Sequence, residues 1–215
     1  MGHAPPSDLL SLAGRFDLLV ARLGATASAS LLFTELAAAW AEPHRVYHST
    51  AHLVDCLRQL DSVPAGSERD RAEAAIWFHD AVYDPHAGDN EDRSASWARE
   101  ALAAVGVPIA TAEEVARLVL ATRHTDPPAD PLAALVSDVD LSILGRDRDT
   151  YDEYERRIRR EYGWVPEATF RRERARILSA LLQRRPLYRT PAFHDRYEQD
   201  ARENLDRALG RLEAG

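Results

Sequence analysis

Apolar residues recur at helical spacing along nearly the whole chain. Leu31, Leu32, Leu36 and Trp40 form one such stripe, with gaps of one, four and four residues. This spacing places apolar side chains on one face of an α-helix. The two-residue alternation that strands require is nearly absent, and β-branched residues are scattered. The sequence therefore predicts an all-α bundle.

Prolines, glycines and capping residues divide this pattern into separate helices. Pro43 and Gly145 end helices, while Asn90 and Thr111 are predicted to cap the starts of two others. The later helices are predicted over residues 48–60, 68–80, 132–144, 149–162, 166–184 and 191–212. No linker is long enough to separate domains, so we expect one domain over residues 1–215. Its motif-bearing core spans about residues 40–190, and the C-terminal helices pack on it.

Composition narrows the class of protein. The 215 residues are 45% hydrophobic and 29% charged, which is typical of a globular domain. The single cysteine, Cys56, excludes an internal disulfide and suits a reducing compartment. No apolar run approaches the roughly 20 residues that span a bilayer. Residues 1–6 lack the basic and apolar parts of a signal peptide, so we expect a cytoplasmic protein without membrane attachment.

The charge distribution is uneven. The net charge of −8 argues against a nucleic-acid coat protein, and all 27 basic residues are arginine. Residues 146–189 hold 13 arginines and 8 acidic residues, a local charge of +5. Such a segment could attract anionic substrates. The alternative, which we favour for most of these arginines, is solvated helix faces with ion pairs such as Glu155 with Arg159.

Two histidines stand four residues apart at the start of the predicted helix 48–60. At this spacing, His48 and His52 would lie one above the other on one helix face. They could then serve as two metal ligands or as one ligand beside a proton donor. The alternative is a histidine at the helix start followed by a half-buried core histidine.

A His-Asp pair ends the next predicted helix. His79 follows Ala72 and Ile76 at helical spacing, which predicts that it points inward. Asp80 lies near the helix C-terminus, where a carboxylate meets the unfavourable end of the helix dipole. An acid in this position needs a cation, which either a metal ion or an arginine such as Arg123 could supply.

Two further acids lie in the predicted helix 132–144. On a helical wheel, Asp140 lies about 80° from the direction of the apolar stripe, and Asp138 lies about 120° from it. Asp140 is therefore the preferred ligand, and Asp138 is a candidate for supporting it. Imidazole and carboxylate groups together are ligands suited to a divalent metal ion.

Three other residues have two interpretations each. Glu91, in the first turn of a helix, either stabilises the helix dipole or orients a metal-bound water. His86 and His124 could contact a phosphate or hold a second metal. A surface or capping role is the alternative for both, and we favour it for His86.

These residues lie in motifs that resemble those of the HD superfamily of metal-dependent phosphohydrolases. The chain carries Tyr-His-x-x-x-His at 47–52 and His-Asp-Ala-Val-Tyr-Asp-Pro at 79–85. It continues with Asn-Glu-x-x-Ser at 90–94 and Asp-Leu-Ser-Ile-Leu-Gly at 140–145. The resemblance is to bacterial HD-domain proteins of undefined substrate, and it implies an all-helical fold with the ligand order His, His-Asp, Asp.

The resemblance implies that His52, His79, Asp80 and Asp140 hold one divalent cation, with Mn, Mg, Fe, Ni, Co and Zn as candidates. The opening motif is also similar to that of the cyclic-nucleotide phosphodiesterases, which implies that His48 is the general acid. Ser49 stands where those enzymes have asparagine, and this departure argues against a cyclic-nucleotide substrate.

The implied reaction is hydrolysis of a small phosphorylated metabolite or nucleotide, with Asp80 and Glu91 assisting catalysis. Arg123 and His124, or arginines of the segment 156–176, would bind the phosphate. A homodimer is left open. Two alternatives remain: a di-iron oxygenase on the same fold, using His86 and His124, and a non-catalytic sensor or scaffold that contains a metal.

Overall fold

The computed structural model describes residues 6–126, 128 and 130–214, with side chains described from residue 11. This part of the chain contains ten α-helices and two short 3₁₀ helices and has no strand. The prediction of an all-α protein is confirmed. No helix among these residues is both long enough and apolar enough to cross a membrane. The expectation for the first residues, 1–5, lies outside the described part.

The chain divides into two compact units, Met1–Asp126 and Pro127–Gly215. Each unit has its own helices and its own buried residues. The expectation of one domain over the whole chain stays a prediction.

The first unit is organised around a helix whose second half is buried on every side. Its α-helices are α1 Pro6–Arg22, α2 Ser30–Trp40, α3 Thr50–Leu60, α4 Ser67–Phe78, α5 Asn90–Ala104 and α6 Ile109–Val119. Helices α1, α3, α5 and α6 all pack against α4. Every residue of α4 from Ala72 to Phe78 is buried, so this helix has no solvent-facing stripe in its second half. The residue that follows Phe78 therefore lies in the interior of the unit.

Aromatic packing holds the last turn of α4 in place. The ring of Trp77 meets the ring of Phe16 edge-on at 4.9 Å and the ring of Phe33 at 6.1 Å. The indole N–H of Trp40 donates to the Trp77 carbonyl at 3.0 Å. Because that carbonyl lies at the C-terminal end of α4, this bond satisfies a group that the helix itself leaves free.

The second unit contains the remaining helices. They are α7 Pro131–Asp140, the 3₁₀ helix Leu141–Gly145, α8 Arg148–Glu161, α9 Glu167–Gln183 and α10 Pro191–Ala214. Helix α10 packs against α9 and against the 3₁₀ helix. A Cβ atom on Gly145 would lie 2.5 Å from Cβ of Tyr197 in α10, so only glycine allows this close approach. The Asn204 amide donates to the carbonyls of Leu144 and Arg146, both at 2.9 Å.

Several helix boundaries differ from the predictions. Asn90 is the first residue of α5 rather than its cap, because its amide bonds the backbone N–H and C=O of Asp84 and closes the preceding loop. Helix α6 begins at Ile109 after Pro108, so Thr111 lies inside it. The predicted helix 132–144 is α-helical only to Asp140 and then tightens into the 3₁₀ helix.

Candidate metal centre

His79 is placed in the interior by the buried end of α4. Its side chain is 1% exposed, which confirms that it points inward. Its Nδ1 atom lies 2.8 Å from the carbonyl oxygen of Ile76. A carbonyl can only accept a hydrogen bond, so Nδ1 carries a proton, and in the neutral imidazole Nε2 then presents a lone pair. This is the tautomer that a metal-binding histidine requires.

Two more potential ligand atoms face this lone pair. The Nε2 atom of His52, a buried residue of α3, lies 3.1 Å from Nε2 of His79. A carboxylate oxygen of Asp80 lies 3.1 Å from the same His79 nitrogen and 3.9 Å from Nε2 of His52. Two nitrogens and one carboxylate oxygen thus converge within the first unit.

The spacing and chemistry of these atoms fit a divalent cation. Atoms bound at about 2.0–2.2 Å from one ion lie about 3–3.6 Å from one another when they are neighbouring ligands. Both 3.1 Å separations fall in that range, and the 3.9 Å separation is slightly wider. A lone pair and a carboxylate directed at the same point repel each other unless a positive charge lies between them. The donor set therefore suits an ion such as Zn²⁺, Fe²⁺, Mn²⁺, Co²⁺ or Ni²⁺.

Asp140, the last residue of α7, lies in the second unit, and its role as a ligand stays a prediction. Within the first unit, His52, His79 and Asp80 form a His-His-Asp group that could bind a metal ion.

Asp138 has a different environment from Asp140. It is 1% exposed, whereas Asp140 is half-buried, so the helical wheel was wrong about which acid lies deeper. Its carboxylate accepts hydrogen bonds from the backbone N–H groups of Arg189 and Thr190 and from the Thr190 hydroxyl, at 2.7–3.0 Å. Burial raises the pKa of Asp138, and these bonds oppose that rise. Asp138 ties α7 to the segment that leads into α10.

His48 lies near the candidate metal centre, but it does not lie on helix α3 as predicted. Helix α3 begins only at Thr50, because Ser49 is in an extended conformation with φ −123° and ψ 177°. His48 therefore lies in the turn before the helix, and the prediction of one shared helix face is wrong. Its ring is nevertheless 6.0 Å from the His52 ring, measured between centroids. It stacks on Tyr83 at 4.4 Å and meets the edge of Tyr47 at 4.9 Å.

Aromatic rings enclose the two histidines of the candidate centre. The ring centroid of Trp40 lies 5.3 Å from that of His79 and 6.4 Å from that of His52. Tyr47 covers His52 at 4.8 Å. A low-polarity surrounding of this kind strengthens electrostatic interactions at the ligand atoms. Trp40 was identified from the sequence only as a core residue, since its helical spacing carries no sign of this second contact.

No sequence pattern pointed to Arg45, which is buried close to these residues. Its guanidinium donates to backbone carbonyls on both sides of the centre, those of His48 and Asp80. Only its position between Pro43 and the start of α3 distinguishes it in the sequence from the other 26 arginines. An arginine was expected as one possible cation near Asp80, but the residue suggested was Arg123.

The surroundings of the other predicted site residues do not indicate what these residues do. Arg123 forms an ion pair with Asp92, and both side chains are partly exposed. Glu91 is half-buried in the first turn of α5. His124 has a left-handed backbone conformation, with φ 54°, at the end of the 3₁₀ helix Leu120–Arg123. His86 is exposed, and its backbone N–H donates to Asp84. The roles assigned to these residues stay predictions.

Comparisons with protein-family models, curated proteins and solved structures found no match for this chain. The resemblance to the HD superfamily is therefore carried by the four motifs alone. What the structure adds is the proximity of His52 and His79, which are 27 residues apart in the sequence.

Proposed function

We propose that the protein is a metal-dependent phosphohydrolase that acts on a small phosphorylated metabolite or nucleotide. The observation that carries this proposal is the His79 imidazole, whose Nε2 lone pair faces His52 and Asp80. A histidine that serves only as a core residue needs no such convergence of potential ligand atoms.

Four residues would hold the ion: His52, His79, Asp80 and Asp140. In the six-coordinate geometry open to ions such as Mn²⁺ and Fe²⁺, two imidazoles and two carboxylates would leave coordination positions for water and substrate. When bound, a divalent ion lowers the pKa of water toward about 7 and neutralises charge on phosphoryl oxygens. The hydrogen bond from His79 to Ile76 keeps this imidazole in its ligand tautomer before any ion arrives.

His48 would supply the proton to the leaving oxygen. Imidazole is the side chain that exchanges protons near neutral pH, and this ring is half-buried beside His52. Stacking on Tyr83 and the edge contact with Tyr47 restrict its rotation. A proton donor held in one orientation transfers its proton more efficiently than a freely rotating one.

The first experiment is to load the purified protein with Mn²⁺, Mg²⁺, Ni²⁺, Co²⁺ or Fe²⁺ and screen a panel of phosphate esters. We expect hydrolysis by the wild-type protein, loss of activity in Asp80→Asn, and full activity in Asp195→Asn, which changes an exposed acid. Full activity in Asp80→Asn would contradict the proposal.

Two other outcomes would identify the alternatives. Bound metal without turnover of any phosphate ester would favour a non-catalytic metal protein. Two iron ions per chain, with oxygen uptake that depends on a substrate, would favour a di-iron oxygenase. Elemental analysis of the untreated protein is therefore measured alongside the screen.

A further inference from the structure

The side chain of Arg45 is completely buried. Its side chain is 0% exposed, although guanidinium is among the most costly groups to bury. Its charged end lies 5.5 Å from the ring centroid of Trp40 and 5.4 Å from that of Tyr83. Both rings also line the candidate metal centre, Trp40 beside His79 and Tyr83 beside His48.

Every N–H of this guanidinium has an acceptor within the protein. Nε donates to Glu42 at 3.0 Å, and Nη2 lies 2.9 Å from the same carboxylate oxygen. Nη1 donates to the carbonyls of His48 at 3.1 Å and Asp80 at 2.6 Å. Nη2 also donates to the carbonyl of Ala81 at 3.0 Å. Guanidinium has five N–H donors, so none is left for a ligand.

These bonds join two segments that the sequence separates by about 35 residues. One is the turn that carries His48, and the other is the end of α4 that carries His79 and Asp80. A positive charge just beyond the C-terminal end of α4 also offsets the helix dipole there. The guanidinium thus fixes the distance between the two segments and neutralises the position where Asp80 lies.

We propose that Arg45 is a positioning residue for the candidate centre. It sets the separation between His48 and the His79–Asp80 pair without touching substrate. The catalytic consequence of this inference rests on the proposed function, whereas the positioning itself does not. Because all its donors are occupied, Arg45 is not a phosphate-binding residue.

The geometry also predicts that lysine replaces Arg45 poorly. An ammonium has three donors on one atom, whereas the carbonyls of His48, Asp80 and Ala81 are reached here from two separate nitrogens. Lysine would retain the charge at the end of α4 but lose at least one of the two connections. Arg45→Lys is therefore expected to be intermediate between the wild type and Arg45→Met.

A matched control is available in the same unit. Arg15 also joins segments distant in sequence, through Glu73 at 2.7 Å, Asp61 and the Leu57 carbonyl at 3.3 Å. None of these partners belongs to the candidate centre. Arg15→Met removes a bridging arginine and lowers stability, but it should leave the histidines in place.

The test compares Arg45→Met, Arg45→Lys and Arg15→Met with the wild type. The primary measurement is the ring resonances of His48 and His79 in ¹³C-edited NMR spectra of the metal-free folded protein at fixed pH. We expect both to shift in the two Arg45 variants and to coincide with the wild type in Arg15→Met. Unchanged resonances in Arg45→Lys and Arg45→Met, or equal shifts in Arg15→Met, would overturn the proposal. If Arg45→Met does not fold, Arg45→Lys decides.

Affinity for Mn²⁺, measured by calorimetry, and turnover then give the functional effect. Loss of a residue that orients metal ligands lowers affinity or activity by about 10–100-fold, which is the effect expected for Arg45→Met. Arg15→Met should stay within about twofold of the wild type at an equal folded fraction. If the wild type hydrolyses no phosphate ester, the proposed function fails, while the NMR comparison still decides whether Arg45 positions these residues.

Discussion

Charged residues are used in opposite ways in two regions of this molecule. Around the candidate centre in the first unit, the side chain of Arg45 is 0% exposed and all its donors are engaged, most of them with backbone carbonyls. On the exposed face of α8 in the second unit, Arg156 is 63% exposed and shares Glu153 with Arg157 and Arg160. The two arginines therefore differ in both burial and acceptors, because Arg45 binds mainly backbone carbonyls whereas Arg156 binds a carboxylate.

Most arginines of residues 146–189 lie on solvated helix faces, as we expected. The ion pair that we predicted there, Glu155 with Arg159, is wrong. Glu155 binds Arg174, at 2.6 Å, instead of Arg159. Arg159 pairs with Glu167 at 2.9 Å. Arg174 is the exception in this segment, because it is buried and also donates to the Tyr154 hydroxyl. Helical spacing alone identifies the available partners but not the one that tertiary packing selects.

The largest expected effect is at the centre itself. His79→Gln removes the oriented lone pair, so Mn²⁺ affinity should fall by more than about 100-fold, beyond the loss typical of supporting residues. His194→Gln, which changes a partly exposed histidine, is the control and should bind as the wild type does. Calorimetric titration of both variants, with folding checked by circular dichroism, measures the difference. Wild-type affinity in His79→Gln would mean that His79 is not a ligand.

Next in size is the contrast between buried and exposed arginines. Arg174→Met leaves Glu155 without its buried partner and should lower the free energy of unfolding by about 3–5 kcal/mol. Arg156→Met removes one of three arginines around Glu153 and should change it by less than about 0.5 kcal/mol. Urea denaturation of both variants measures the two losses. Equal losses would remove the distinction between buried and exposed arginines.

A smaller effect is expected on acidification. Hydrogen bonds from Arg211 and Arg207 lower the pKa of Asp152 to about 2, below its ordinary value of 3.8. The unfolded chain therefore binds this proton first as pH falls, and the stabilisation present above pH 4 is lost between about pH 4 and 2. After solvent screening, the loss is about 1 kcal/mol. Urea denaturation of Asp152→Asn across this range should show that much less pH dependence than the wild type.

The smallest effect is expected for Glu153→Gln. Three exposed pairs disappear together, but each contributes little because water screens the charges, so the free energy of unfolding should fall only slightly. The loss should also shrink in high salt. Thermal unfolding at low and high salt measures both. A loss of several kcal/mol would show that the face of α8 is more than a solvated surface.

The local pattern was a better guide to helices than to the atoms of the centre. The inward direction of His79 followed from its spacing with Ala72 and Ile76, because α4 is regular up to Phe78. The position of His48 did not follow, since a single extended residue, Ser49, starts α3 two residues later than expected. The depth of Asp138 was missed because the segment before α10, about 50 residues away, covers it.

The sequence by itself determined that the protein is helical, and it identified His52, His79 and Asp140 as candidate ligands. Those properties depend on the spacing of residues within a single helix. That spacing involves only residues a few positions apart in the sequence. Only the tertiary structure decided the 3.1 Å approach of the His52 and His79 rings, the stacking of His48 on Tyr83 and the burial of Arg45. Each of these depends on a backbone carbonyl or a ring that becomes a neighbour only when the helices pack, and spacing along the chain carries no record of it.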